Sequence, residues 1–324
     1  MPPAECEQTT ATALQTRSAL PRRAGRRTAA RPSKIRQHIE ALSNGLGAQS
    51  MYLLVLAAQG RIPARLSITA DTGWEEDCLW SDGTRSTARH YFEQIVQPYA
   101  DAHGIEAVMV EALDKDGQPI PPLGEWVRQH VRAGTLNQIK IPLFGSNGGR
   151  LGQSCTSRKK VAAIRQELRR RGATTARTAQ GLHRGEITRM KGRHGRMEGG
   201  FFTLTSIDAA WQSHFYPLID LGLFRADVQR ELEHLRIPYL ISSQCDGCPH
   251  KDLARWERTS PEVIDDLADL EAEMDGQFFF TNKRVPLREA LVLMRQDAEK
   301  RAAQLPISMF ELDDFGCDGG ICGV

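Results

Sequence analysis

Residues 39–70 read IEALSNGLGAQSMYLLVLAAQGRIPARLSITA and are followed at once by DTGWEED, residues 71–77. At the centre, Ser43-Asn44-Gly45-Leu46-Gly47-Ala48-Gln49-Ser50 sets glycines among small polar residues immediately before an apolar run of helical period. Backbone N–H groups in such a turn can face a ligand unobstructed, which makes it an anion cradle. Met51, Leu54, Val55 and Ala58 carry the helical spacing and the run ends at Gly60. Leu66-Ser67-Ile68-Thr69-Ala70 then reads as a buried strand that delivers Asp71 at its carboxyl end. Open parallel sheets bind ligands at that edge, so loop and aspartate are expected on one rim. For the Gly-rich turn taken alone, a plain strand-to-helix connection is the alternative reading.

LSNGLGAQS followed by ADTGWEE resembles the adenine nucleotide alpha-hydrolase superfamily, which contains phosphoadenosine phosphosulfate (PAPS) reductases, PP-loop ATP pyrophosphatases and phage or plasmid homologues. The reductase loop is similar to Ser-x-x-x-Gly-x-Gln and its second strand ends in Asp-Thr-Gly. Both patterns stand here, as Ser43 to Gln49 and as Asp71-Thr72-Gly73. The pyrophosphatase pattern, Ser-Gly-Gly-x-Asp-Ser, often with Lys as the x, is not matched, because this loop has neither Lys nor Asp. The resemblance implies an adenine nucleotide, PAPS or ATP, held by Ser43, Asn44, Gly45, Gly47, Gln49 and Ser50. Asp71, Thr72 and Gly73 would then lie near the ribose, the adenine or a bound Mg2+.

At 324 residues the chain can bury a full core. Its net charge of +2 creates no global field that demands a polyanionic partner. The charge is uneven, with Arg17, Arg22, Arg23, Arg26, Arg27, Arg31 and Lys34 near the start and an acidic run from Glu262 to Asp275. Residues 1–34 read as a disordered basic arm, 35–250 as the nucleotide-binding α/β domain, and 251–324 as a helical extension with a flexible Cys/Gly tail. No apolar stretch approaches the roughly 20 residues that span a bilayer, and the N-terminus lacks the apolar core of a secretory signal. A cytoplasmic protein without membrane contact is expected. In a reducing compartment the seven cysteines are ligands or reactive thiols before they are disulfides.

Along the chain, Ile35, Ile39 and Leu42 have helix-like spacing and lead into the loop. A helix opens at Ser86-Thr87-Ala88-Arg89, with Tyr91, Phe92, Ile95, Val96 and Tyr99 on one face, and Glu106 to Glu111 is the next strand. This alternation predicts a doubly wound, mostly parallel α/β sheet. A short helix over 124–132, a strand over 138–144 and a helix beginning near Cys155 follow. Ala173 to Gly200, rich in Gly and Arg, reads as a mobile basic active-site loop. Strands at 201–205 and 237–242, and helices from Arg225, Pro261 and Val285, complete the pattern, the C-terminal helices forming an add-on against the sheet.

Cys155 stands at a helix N-terminus, where the positive end of the helix favours thiolate. Homologues in the superfamily show a similar Cys-Thr-x-x-x-Lys start, matched here by Cys155-Thr156-Ser157-Arg158-Lys159-Lys160. Gln244-Cys245-Asp246-Gly247-Cys248-Pro249-His250 follows the expected last strand, and two cysteines separated by two residues point their sulfurs to one side. Cys155, Cys245 and Cys248 are therefore expected to hold an iron–sulfur cluster of the 4Fe-4S type. Zinc, with His250 or a tail cysteine as fourth ligand, and a thioredoxin-type redox pair are the alternatives.

The chain finishes FELDDFGCDGGICGV, in which glycines leave Cys317 and Cys322 free to carry a thiol into a site. Sulfonucleotide reductases attack sulfate sulfur with a cysteine near the C-terminus in a Glu-Cys-Gly context, and Cys322-Gly323 is similar to it, with Ile321 in the place of Glu. The resemblance thus makes Cys322, and next Cys317, the expected nucleophile. The alternative is that the tail cysteines cap the cluster or pair with each other. The leading expectation is a sulfonucleotide reductase that uses a dithiol such as thioredoxin as reductant. An ATP-dependent sulfurtransferase or nucleobase-modifying enzyme, contacting nucleic acid through its basic arm and loop, comes second. A non-enzymatic nucleotide or redox sensor comes third.

Overall fold

The segment before the Gly-rich loop is a strand and not the helix its spacing suggested: β1 spans His38–Asn44. The computed structural model describes residues 37–138, 141–189, 194–198 and 201–304, which belong to the compact unit Arg36–Val324. The spacings of four and three suit a helix, whereas in a strand the spacing of three puts Ile39 and Leu42 on opposite faces, Ile39 against the core with Ile164 and Leu42 in the core with Leu54. The decision comes from neighbours, because β1 is flanked on both sides by parallel strands and its last four residues, Ala41 to Asn44, are all buried.

After β1 come α1 (Ala48–Ala58) and β2 (Leu66–Ala70). Helix α1 buries nearly its whole circumference, from Met51 through Ala57, and stops where Gly60 at φ +72° lets the next amides turn back onto the Leu56 and Ala57 carbonyls. A short hairpin, β3 (Cys78–Leu79) with β4 (Arg85–Ser86), leads to a helix made of α2 (Ala88–Tyr91), a π-turn at Phe92–Val96 and α3 (Gln97–Ala102). Thr87 caps that helix by accepting from the His90 amide. Strand β5 (Glu106–Val110) and α4 (Leu123–Arg132) follow. Among the described residues of the strand expected over 138–144, only Phe144 is in a strand, β6 (Phe144–Gly145). A second π-turn, Thr156–Val161 with Cys155 at its N-cap, runs into α5 (Ala162–Arg170).

The stretch expected to be a basic loop begins instead with a central strand, β7 (Thr175–Gln180), paired in parallel with β1 over six residues. Its sequence, TARTAQ, holds no large apolar residue, so a hydrophobic pattern cannot reveal it. It fits because small side chains are what a strand covered on both faces can accept there, and Ala176, Thr178, Ala179 and Gln180 are buried. Strands β8 (His194–Glu198), β9 (Phe201–Ala209) and β10 (Gln212–Phe215) follow, then α6 (Pro217–Asp220) and α7 (Arg225–His234). The strand expected over 237–242 reduces to bridges from Leu240 to Gly47 and to Trp80. Helices α8 (Leu253–Arg258) and α9 (Pro261–Ala272), strand β11 (Phe278–Phe279) paired with β6, and α10 (Leu287–Gln304) complete the described chain.

The main sheet has the order β5-β2-β1-β7-β10-β9-β8. Its first five strands are parallel and its last two antiparallel, so the doubly wound, mostly parallel α/β fold stands. The chain runs outward from β1 through β2 to β5 and then returns to place β7 on the other side of β1. That reversal is a topological switch point, and the loops after β1 and β7 open around the crevice it creates.

One face of the sheet is covered by α1, the Ala88–Ala102 helix and α7, the other by α5 through Ile164 and Leu168. A third core contains Trp74, Val127, Leu143, Trp256, Leu267, Phe280 and Leu287. The C-terminal helices therefore pack on α4, on the segment after β2 and on residues around 141–151, and not on the sheet as expected.

Candidate functional site

Every residue from Ser43 to Ser50 lines one cleft of about 160 Å³ at the switch point. The loop is shaped by its own side chains. Asn44 Oδ1 accepts from the Leu46 amide at 2.8 Å, while its Nδ2 donates to Ser67 Oγ, and Ser50 Oγ accepts from the Gly45 amide at 3.0 Å. Leu46 takes φ +64° to complete the turn. Two of the amides expected to be able to face a ligand, those of Gly45 and Leu46, are thus committed within the loop. The anion-binding capacity lies one step on, at the first amides of α1, where Gly47 is an N-cap with no side chain to occupy them.

The far wall comes from the loop after β7 (Gly181, His183, Glu186, Arg189), from Lys160, and from Arg225, Ser243, Gln244 and Arg255. Glu186 pairs with Arg189 and lies 3.4 Å from His183 Nε2, and Glu75 pairs with Lys160 at 3.0 Å. Four cationic side chains against two carboxylates leave a cationic cleft, suited to an anionic ligand.

The DTG residues divide. Asp71 does not line the cleft: its Oδ1 accepts from the Gly73 amide at 2.8 Å and its Oδ2 from Arg89 at 2.5 Å. Thr72 faces the cysteines, with its Oγ1 3.5 Å from Cys245 Sγ. Gly73 has φ +66°, and a Cβ there would stand 2.6 Å from Pro122 Cβ. Trp74 is wedged between two backbones, since a Cβ on Gly124 or Gly247 would come within 2.7 Å or 2.2 Å of its ring. Gly247 is the third residue of the Cys245–Cys248 turn, so DTGW supports that turn directly. The Asp246 amide also donates to the Trp74 carbonyl at 2.7 Å, and Asp246 Oδ2 accepts from the Glu76 amide.

Cys155, Cys245, Cys248 and His250 line a second, nearly apolar pocket with Gln153, Thr72 and Trp74. The turn is closed by the Cys248 amide donating to the Cys245 carbonyl at 3.0 Å. Burial pushes the Asp246 carboxyl up to about 6 and lowers the pKa of both His250 and Lys251. All three thiols are free of disulfides. Among the described residues no group of three or more His, Cys, Asp or Glu closes into the arrangement a single metal ion needs. Three soft thiol donors share the nearly apolar pocket, and Cys155, Cys245 and Cys248 are the residues that would hold an iron–sulfur group. A fourth free thiol, Cys78, is buried beside the Glu75 carbonyl.

Lys160, Ser243 and Gln244 line both the cleft and the cysteine pocket, so the two share a wall. Glu75 ties the wall together, its Oε1 accepting from Lys160 and lying 3.8 Å from Cys245 Sγ. Cys317 and Cys322 lie outside the described residues, as does the basic arm. Sequence reasoning missed Glu75, His183, Glu186, Ser243, Gln244 and Arg255, which lack spacing signatures and meet only through the fold.

No family model matches the sequence, and no curated protein matches it. Among solved structures the chain is similar to the crystal structure of phosphoadenylyl-sulfate (PAPS) reductase from Candida auris in its phosphate complex. The identity is 12%, the TM-score 0.34, and the match covers 62% of this chain and 74% of that one. No helix among the described residues is long and apolar enough to cross a membrane.

Proposed function

We propose that this protein is an adenine-nucleotide enzyme of sulfur metabolism, of the sulfonucleotide reductase type. The observation that supports it best is the wall shared between the cationic cleft and the cysteine pocket, formed by Lys160, Ser243 and Gln244. A nucleotide whose phosphate sits on the first amides of α1 would have its terminal sulfonate facing that wall. Lys160, Arg225 and Arg255 would stabilise the charge that gathers on the leaving phosphate. An iron–sulfur group on Cys155, Cys245 and Cys248 would supply soft, redox-active metal chemistry beside the reacting sulfur.

In this reading the Cys322 thiolate attacks the sulfonate sulfur. A sulfur–sulfur bond forms, the sulfur–oxygen bond to phosphate breaks, and the nucleotide phosphate departs with the electron pair. A dithiol such as thioredoxin then attacks the cysteine sulfur, releases sulfite and is itself oxidised to the disulfide. Anaerobically prepared protein should be brown, and Cys155→Ser, Cys245→Ser and Cys248→Ser should each lose the colour. Cys322→Ser should abolish sulfite release from PAPS while keeping colour and nucleotide affinity. Full sulfite release by the Cys317→Ser/Cys322→Ser double variant would end the tail-nucleophile assignment, and a colourless wild type holding one zinc would end the cluster.

A second reading is supported by the number of thiols, since three cysteines in the pocket would leave a cluster one open position to carry sulfide. An ATP-dependent sulfurtransferase acting on a nucleobase would use it so. Cleavage of ATP to AMP and pyrophosphate, with no turnover of PAPS, would favour this reading over the first.

A further inference from the structure

Glu75 is a carboxylate in the wall of a cleft that otherwise suits an anion. A negative side chain there opposes the ligand, so its presence needs a reason other than binding. Glu186, the second carboxylate of the lining, is matched within its own loop by Arg189. Glu75 reaches instead from the segment after β2 to Lys160, 85 positions along the chain. Both ends of this pair are anchored from behind. The Glu75 carbonyl accepts from the Ala88 amide at 2.8 Å, and the flanking Trp74 carbonyl and Glu76 amide are both bonded to Asp246. Lys159 donates to the Ile120 carbonyl at 2.8 Å, which secures the π-turn beside Lys160. What is left to fix is the long flexible stem of Lys160. Glu75 Oε1 holds its ammonium at 3.0 Å, and the same oxygen accepts from Thr72 Oγ1 at 3.4 Å and lies 3.8 Å from Cys245 Sγ. The oxygen that holds the ammonium is thus also the one beside Cys245, which draws Lys160 to the wall shared with the cysteine pocket.

We propose that Glu75 is a positioning residue that keeps the Lys160 ammonium at the shared wall and off the first amides of α1, where a bound phosphate would otherwise attract it. The charge of the cleft is then divided. The α1 amides hold the resting ligand, while the Lys160 charge is kept for the group that reacts at the wall. A charge directed at the reacting group raises turnover, whereas one directed at the resting ligand raises affinity alone. Without Glu75, Lys160 takes the phosphate as its partner, and the ligand is held more tightly and reacts more slowly.

This assignment rests on the nucleotide reading for its kinetic half only. Glu75→Gln keeps the shape and an acceptor for Thr72 while removing the charge. By calorimetry it should bind AMP about fivefold tighter than wild type, the worth of one partly exposed charge pair. In a Lys160→Met background the same change should give less than half that gain, because only the loss of repulsion remains. With PAPS, Glu75→Gln should lower KM and kcat together, kcat by about tenfold, a split that a merely structural role does not produce. An equal gain in both backgrounds, weaker AMP binding by Glu75→Gln, or a lower KM with unchanged kcat would overturn the positioning role. If wild type binds AMP but does not turn over PAPS, the reductase reading falls and the affinity cycle alone decides the role of Glu75. If inorganic phosphate binds and AMP does not, the nucleotide reading falls and the same cycle run with phosphate decides it. Binding of neither anion overturns both.

Discussion

Gly73 and Gly60 share a left-handed backbone, at φ +66° and φ +72°, yet differ in what surrounds them. Around Gly60 a Cβ would meet nothing within 4 Å, whereas at Gly73 it would meet both the side chain and the backbone of Pro122. Gly60→Ala should therefore cost about 1 kcal/mol, the conformational term alone. Gly73→Ala should cost roughly 2–4 kcal/mol, because overpacking adds to it. Denaturant unfolding of the two variants checks the difference. The Gly of DTG was legible as a motif residue, but its packing reason was not, since Pro122 lies 49 positions away in the sequence. Asp71 was likewise legible as the end of a strand, while its commitment to Arg89 depends on a helix that no local pattern ties to it.

At the level of elements, the two strands that define the switch point were the hardest to read. His38–Asn44 passes for a helical approach and Thr175–Gln180 for a loop, because both are specified by parallel neighbours on either side and not by their own side-chain alternation. Helices announced themselves through period and caps, as at Thr87 and at Ser260, whose hydroxyl accepts from the Val263 amide. Helix α5 carries a testable electrostatic feature at its end, where Glu167 accepts from Arg170 at 2.7 Å and from Arg171 at 2.6 Å. The Arg170 hydrogen bond holds the Glu167 carboxyl below the usual carboxylate range against the opposing effect of burial. A depressed folded-state pKa stabilises above the unfolded pKa, and the gain is lost as pH falls through the folded value. Glu167→Gln should thus cost about 1 kcal/mol at neutral pH, with the two stability curves converging in acid below the ordinary carboxylate range. Parallel curves across that range would remove this role.

For the molecule as a whole, the sheet and the cysteine pocket rest on different cores. Leu54 lies in the core between sheet and helices, whereas Leu267 lies in the C-terminal core, its Cδ2 within 3.0 Å of where a Gly247 Cβ would stand. Leu267→Ala and Leu54→Ala should each lose roughly 2–5 kcal/mol. Iron content per chain should fall only in Leu267→Ala, with AMP affinity unchanged in that variant. Equal metal loss in both would show that the pocket has no separate foundation. The fold class and the three clustered cysteines were legible in the sequence through loop, strand and turn signals. The cleft's far wall was not, because it is assembled from segments near 75, 160, 183–189, 225 and 243–255.

The π-turn at Thr156–Val161 is, in genetic terms, an insertion of one residue into a helix that would otherwise be regular. Deleting exposed Ser157 should revert it, leaving Lys159, Lys160 and α5 in register while swinging everything upstream by about 100° around the helix axis. Cys155 would then turn away from Cys245 and Cys248. Such a deletion should fold and hold nucleotide but bind no cluster. On this view a single codon decides whether Cys155 shares a pocket with the Cys245–Cys248 turn.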